Sequence, residues 1–298
     1  MTAATLTTDP GTPGTGAPAT TRGRATGTAL TRFLRRTGPL TIVAAGILLI
    51  AVLMALVPGL FTRENPLDGG DTAALLAPSA DHWFGTDQTG RDVFARVVHG
   101  ASQSLLAALV AVGVGLVVGS AIGLVAGTRR GIVDDVLMRF IDVLLSIPGL
   151  LLSLTVVILL GFGTINAAIA VGVTSIAQFA RLTRAQAVRI NTSDYVAAAY
   201  GSGGNYWSVL GRHVLPNGLG AVIALAVLQI GWAILQISTL GFLGYGTPAP
   251  TPEWGLIIAE GRNFVATSWW LTVLPGLVVM LVVLSTHRIG SALRELSA

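Results

Sequence analysis

The sequence predicts an all-α integral membrane protein with six transmembrane helices. Three observations carry this. Hydrophobic residues make up 52% of the 298-residue chain and charged residues only 11%, roughly half the charge of an ordinary soluble protein. The apolar residues fall in long blocks, of the length needed to cross a bilayer core of about 30 Å. The polar segments between the blocks alternate in arginine content, which is how a multi-pass chain encodes its orientation.

Composition also excludes several chemistries. The chain has no cysteine, so no disulfide framework, thiolate metal site or thiol nucleophile is available. It has no lysine, all 18 basic residues being arginine. That removes a phosphate-binding loop of the Walker A kind and a Schiff base. The pI near 10.3 suggests nucleic acid, but the arginines form no single patch and read as topology signals instead.

Residues 1–30 are rich in Thr, Ala, Gly and Pro. They bury too little apolar surface to offset their ordering entropy, so a disordered cytoplasmic tail is expected, with the membrane domain over 31–298. Arg32, Arg35 and Arg36 precede the first span, 40–60, and hold the N-terminus inside. Residues 61–100 form an acidic external segment with Glu64, Asp68, Asp71, Asp81, Asp87 and Asp92. Gly85 and Gly90 permit tight turns there, and Asp87 and Asp92 flank Arg91 at spacings that suit an ion-pair and capping network. His99 beside the two aspartates resembles a metal trio, but no further ligand stands at metal-site spacing.

The second span is placed at 104–126. Gly115, Gly119 and Gly123 put one small residue per turn on one helix face, suited to close packing. Arg129, Arg130 and Arg139 return the chain to the inside. Asp134 and Asp135 start the next helix, where negative charge suits the macrodipole. Asp142 needs a partner near the membrane boundary, and Arg139 is the predicted one. Pro148 is predicted to kink the third span, 140–160. Gly161, Phe162 and Gly163 make an external turn.

The fourth span, 164–180, and the fifth, 219–240, are more polar. Asn166, Gln178, Gln229, Gln236 and Ser238 are candidates to line a path, or else to bond a neighbouring backbone. Residues 241–270 return outside, with Trp254, Trp269 and Trp270 suited to the membrane interface. Glu253 and Glu260 form the only carboxylate pair there, too little for a hydrolase centre. The last span is 271–286, and Arg288 and Arg294 hold the C-terminus inside. Fourteen arginines fall inside and four outside, which supports this orientation.

Between the fourth and fifth spans lies the most informative stretch, residues 181–217. Ser193 or Asp194 can cap a short helix over 195–200. Gly201, Gly203 and Gly204 break it. Asn205 can cap a second helix over 206–214, and Pro216 ends that helix or begins the next element. A plain connector needs only a few residues, so a structured helix–turn–helix points to a docking partner.

Here the residues carry a resemblance. Ala197, Ala198 and Ala199, then Gly203, then His213 to Asn217, resemble the EAA loop of bacterial ABC importer permeases, with Ala197 where that family usually has glutamate. HWFGTDQTGRDVFARVVHGASQSL (82–105), DDVLMRFIDVLLSIPGLLLSL (134–154) and LGFLGYGTPAPTPEWGLIIAEGR (240–262) resemble the C-type permease of the dipeptide, oligopeptide and nickel importers. The resemblance runs from about residue 30 to the C-terminus. It implies a type I permease fold in a bacterial inner membrane, with both termini cytoplasmic and a cytoplasmic coupling helix. It also implies a second homologous permease subunit, ABC ATPase subunits that bind ATP and magnesium, and an extracytoplasmic substrate-binding protein. This chain itself would carry no cofactor, metal or catalytic residue. The coupling residues it implies are Asp194, Ala197, Ala198, Ala199, Gly203, Tyr206, Trp207, Arg212 and Pro216. Dipeptides or short oligopeptides are the implied cargo, with nickel and glutathione importers sharing the motifs.

Two other classes fit less well. A membrane enzyme needs convergent groups, yet His82, His99, His213 and His287 are scattered and no HExxH or GxSxG string is present. An ion-coupled secondary transporter needs intramembrane acids or bases, and the middles of the six proposed spans lack them.

Overall fold

The computed structural model describes residues 38–69, 72–129 and 131–297. The expected disordered tail, Arg32, Arg35, Arg36, Asp71 and Arg130 lie outside the described residues. The described residues are helical and carry no strand beyond one isolated bridge between Thr86 and Asp92. We number the helices α1 (Pro39–Leu56), α2 (Val93–Arg129), α3 (Ile132–Ser146), α4 (Gly149–Leu160), α5 (Thr164–Asn191), α6 (Asp194–Gly201), α7 (Tyr206–Phe242), α8 (Trp254–Gly261) and α9 (Trp270–Ser297). Five are long and apolar enough to cross a membrane, or six spans if α3 and α4 count as one broken span.

The bundle is built around α5. More than half of its apolar window is buried (56%), against 17% for α1 on the periphery. The predicted small-residue face on α2 explains how α5 comes so close. A Cβ placed on Gly119 would stand 2.4 Å from the carbonyl oxygen of Ile176, and one on Gly123 would stand 2.3 Å from that of Ala180. Gly115 and Gly127 meet Ser175 and Ala187 in the same way, and Gly172 of α5 returns the contact against Val114. Without side chains between them the two backbones touch, which is how membrane helices gain attraction when lipid offers no hydrophobic drive. Ala107, Ala108 and Ala111 of α2 and Ala167, Ala168 and Ala170 of α5 are all fully buried in the main core.

Several boundaries differ from the sequence reading. The second helix begins at Val93, eleven residues before the expected 104, because Asp92 caps it by accepting from the Ala95 amide at 2.7 Å. Its polar first turns read as loop, but Arg96 reaches buried carboxylates and His99 and Ser102 bond carbonyls of their own helix. The expected kink at Pro148 is a break. Ile147 is extended, as a residue before proline prefers, and α3 and α4 meet at 95°. At about 18 Å, the 12 residues of α4 are too short to cross a bilayer core alone. Of the two readings of Pro216 the second holds: it stands in the first turn of the stretch Leu215–Phe242 and does not end the helix after Asn205. α7 runs unbroken for 37 residues, about 55 Å, by widening into a π-turn at Leu210–Val214. Proline has no amide hydrogen and its ring crowds the carbonyl four residues back, and the wider turn relieves both. α5 and α9 likewise run past the expected 180 and 286.

Replacing Gly119 or Gly123 with Leu should drive α2 from α5 and cost about 1–3 kcal/mol or more through overpacking. The measurement is the thermal midpoint of the detergent-solubilised protein. Gly46→Ala, whose new Cβ meets nothing within 4 Å, should leave it unchanged.

Candidate functional site

The two ends of the bundle carry different chemistry. At one end α5 gives way to α6, a glycine turn and the start of α7. Ser193 occupies the capping position of α6 but its hydroxyl donates back to the Ile190 carbonyl, so Asp194 in the first turn supplies the favourable charge. Val196 is buried with Ala187, Ile190, Val209 and Val214, a small apolar core that fixes the segment to the ends of α5 and α7. Gly203 takes φ +87°, a left-handed angle suited to glycine, and the Gly204 amide closes the turn on the Ala199 carbonyl at 3.0 Å. Asn205 caps the next helix, accepting from the Ser208 amide at 2.8 Å.

The nine residues predicted for coupling divide between two faces. Asp194, Ala197, Ala198, Gly203, Arg212 and Pro216 are exposed, and Trp207 is 73% exposed. Ala199 is half-buried against the small core. Tyr206 faces inward. Its hydroxyl lies 2.6 Å from that of Thr128 and the Arg129 guanidinium sits 5.1 Å from its ring centre. The segment is thus stapled to the end of α2, which sequence spacing does not reveal.

Beside it, α3 is latched to α5. Arg184 donates to both carboxylate oxygens of Asp134 at 2.5 and 2.6 Å, a bidentate pair. The expected Arg139 partner for Asp142 is replaced by Arg181, at 2.7 Å across the helix pair. Arg184 was legible only as a topology signal, because its partner lies 50 residues away.

The five path candidates do not converge. Asn166 donates to the carbonyls of Leu160 and Gly161, both at 3.1 Å, and so finishes the end of α4 rather than facing a lumen. Gln178 is exposed beside an open groove of about 500 Å³ with Arg181, Gln186, Arg189 and Leu225. Gln229 is buried, and Gln236 and Ser238 are half-buried. The backbone of Ser238 lies so close to Gly255 of α8 that a Cβ there would stand 2.5 Å from its carbonyl.

At the opposite end the segment before α2 folds against α8. Gly85 and Gly90 make the expected turns, at φ +72° and +80°. Asp87 accepts from Arg91 Nε and from Arg96 Nη1, each at 2.7 Å, and Arg96 Nη1 also donates to Glu260 Oε2 at 2.5 Å. Burial would raise the Asp87 carboxyl. Hydrogen bonds from Thr89 and Arg91, with the Arg91 charge, outweigh it and hold the group below its usual range. Asp92 pairs with His82 at 2.8 Å, while His99 turns to the Ala95 carbonyl. Trp254, expected at the membrane interface, is instead fully buried, donating from Nε1 to the Val97 carbonyl at 3.0 Å.

Glu253 is also buried, at 1% exposure, against Gly241, Gly246 and Thr164, and its Oε1 has no hydrogen-bond partner among the described residues. Burial pushes its carboxyl up to about 7, against opposing bonds from the Thr247 amide and the Thr164 hydroxyl.

The described residues thus form a helical bundle of five or six candidate spans, with a stapled and partly exposed helical turn at one end and buried ion pairs at the other. The chain belongs to the family of binding-protein-dependent transport system inner membrane components, the permeases of ABC importers, whose model matches residues 119–294. It is 39% identical over 264 residues to the probable D,D-dipeptide transport system permease protein DdpC of Escherichia coli K12, covering 89% of each chain. It is 37% identical to the dipeptide transport system permease protein DppC of Alkalihalophilus pseudofirmus, covering 86% of this chain and 84% of that one. The glutathione transport system permease protein GsiD of Escherichia coli O6:K15:H31 is 40% identical, over 73% of this chain and 72% of its own.

Two outcomes are expected at the buried mouth. Glu260→Gln should leave Arg96 buried and half-paired, costing about 3–5 kcal/mol, seen as a lower thermal midpoint. The second concerns pH. Folded Glu253 keeps its proton up to about 7, whereas the exposed group loses it near 4.5. Stability should therefore fall as pH rises between those values and level off above, by about 3 kcal/mol in all. Glu253→Gln should flatten that dependence in thermal melts from pH 4.5 to 8.

Proposed function

We propose that this chain is the permease subunit of an ATP-driven importer of dipeptides or short oligopeptides, contributing half of the translocation path. The observation that carries this is the α6–α7 turn. It exposes Tyr195, Ala197, Ala198, Trp207 and Arg212 while a private apolar core and the Tyr206 staple hold it rigid. A rigid, aromatic-bearing surface joined to two long helices suits a partner that pushes on it. An ABC ATPase subunit is that partner, binding ATP and magnesium on its own chain. A homologous permease would complete the path, and an extracytoplasmic binding protein would deliver cargo to the other mouth. Ala197 leaves the docking contact to shape, to Trp207 and to Arg212.

The proposed orientation puts the α6 end and both termini in the cytoplasm. Arg189, near the end of α5, and Arg294, near the end of α9, line one groove. The start of α1 likewise lies beside the last turns of α9. The start of α1, the last turns of α9 and the end of α5 that leads into the exposed turn therefore share an end, and the arginine excess of the sequence supports placing that end inside. The glutathione permease relative matches as strongly in identity, so glutathione, itself a small peptide, is the second cargo class.

Capture of the tagged chain from its native membrane should recover a related permease and an ATPase bearing a Walker A loop. Recovery of this chain alone, monodisperse, would defeat the reading. Trp207→Ala should weaken ATPase binding about 30-fold, as loss of an exposed aromatic anchor worth about 2 kcal/mol does, with the thermal midpoint unchanged. Gly203→Pro combined with Arg212→Glu should abolish ATP-driven uptake.

A further inference from the structure

The face of the bundle where α1 meets α9 holds a feature that transport leaves unused. Leu40, Val43 and Ile47 of α1 and Leu281 and Leu284 of α9 wall a groove of about 550 Å³, and Arg288 stands at its terminal end with His287 beside it. The Nε of Arg288 is buried and has no hydrogen-bond partner among the described residues. A guanidinium set into an aliphatic groove is costly unless an anion meets it.

We propose that this groove binds one anionic glycerophospholipid, an acyl chain lying between α1 and α9 and the headgroup phosphate on Arg288.

Length and charge select this occupant. From Leu281 to Arg288 the groove follows α9 for about 10 Å at 1.5 Å per residue, with Ser291 one turn beyond, a reach that fits within one leaflet of a core about 30 Å thick. Its apolar walls are open to the bilayer, with Leu40, Val43 and Leu284 all more than half exposed. Its cation sits at the end where the chain enters and leaves the membrane, the height of a headgroup. Basic pockets between membrane helices at that level take anionic headgroups. The chain's own first 36 residues are a poor rival, because they carry five arginines and one aspartate and so repel Arg288. The site concerns the membrane-embedded bundle and stands whether or not the cargo is a peptide.

The test uses the full chain with whatever subunits it retains, in nanodiscs of equal phosphatidylglycerol and phosphatidylcholine. After a delipidating wash, native mass spectrometry counts the lipid retained. The expected result is about a fivefold preference for phosphatidylglycerol, the contribution of one cation facing an anionic lipid. R288Q should bring it to parity. V43W, which fills the groove and keeps the charge, should lower retention of phosphatidylglycerol, and it carries the test if R288Q is not monodisperse. Equal retention of the two lipids by the unaltered chain would overturn the proposal, as would an unchanged preference in R288Q or, where that variant fails, in V43W. Retention of neither lipid would show that a protein surface covers the groove. Displacement by millimolar glycerol 3-phosphate would show an anion site with no role for the acyl chain. Either result would also overturn it.

Discussion

The closeness of α2 and α5 is the constraint on which the other helices depend. Two helices bearing ordinary side chains pack 8–10 Å apart. Here Gly115, Gly119, Gly123 and Gly127 let one backbone rest on the other's carbonyls and side-chain stems. The contact occupies the middle of the structure. It brings the end of α2 to the point where Thr128 and Arg129 reach Tyr206. It also buries enough of α5 that Arg184 meets Asp134 in a partly buried pair. A chain without that glycine face would hold its α6–α7 turn at a different height and angle.

The two ends solve the same problem by different means. Where α5 passes into α6, few charged groups are buried, and a cluster of Val, Ile and Ala sets the geometry. At the α8 end the work falls to buried charges. Asp87 and Arg91 of the loop before α2, Arg96 of α2 and Glu260 of α8 neutralise one another, while Glu253 stays apart, with no cation paired to it among the described residues, and holds its proton. Networks of this kind specify a single arrangement, because every misplacement leaves a charge unpaired in a dry site.

Much of this was legible in the sequence because it is local. The apolar blocks, the glycine spacing on α2, the Asn205 cap and the turns at Gly85, Gly90 and Gly203 depend on neighbours within a few residues. What escaped prediction depends on distance in the chain. Arg96 finds Glu260 from 164 positions away, Arg181 takes Asp142 from Arg139, and Tyr206 turns inward because Thr128 awaits it. Helix boundaries failed for a related reason. Polar turns such as 93–103 read as loops until their partners are known, and a π-turn that carries a helix past Pro216 has no sequence mark of its own. Asn166 takes the other reading open to it, its amide bonding the last carbonyls of a neighbouring helix.

The unbroken run of α7 has a mechanical meaning. Because no loop intervenes between the exposed turn at Trp207 and Phe242, the helix behaves as a lever about 55 Å long whose handle lies outside the bilayer. A tilt of about 5° at the handle displaces the far tip by about 5 Å over that length. That tip lies beside Glu253, packed on Gly241 with a fit that leaves no room for a methyl group. A displacement at one end of the helix therefore arrives, with no loose chain between, at a closely packed point of the other.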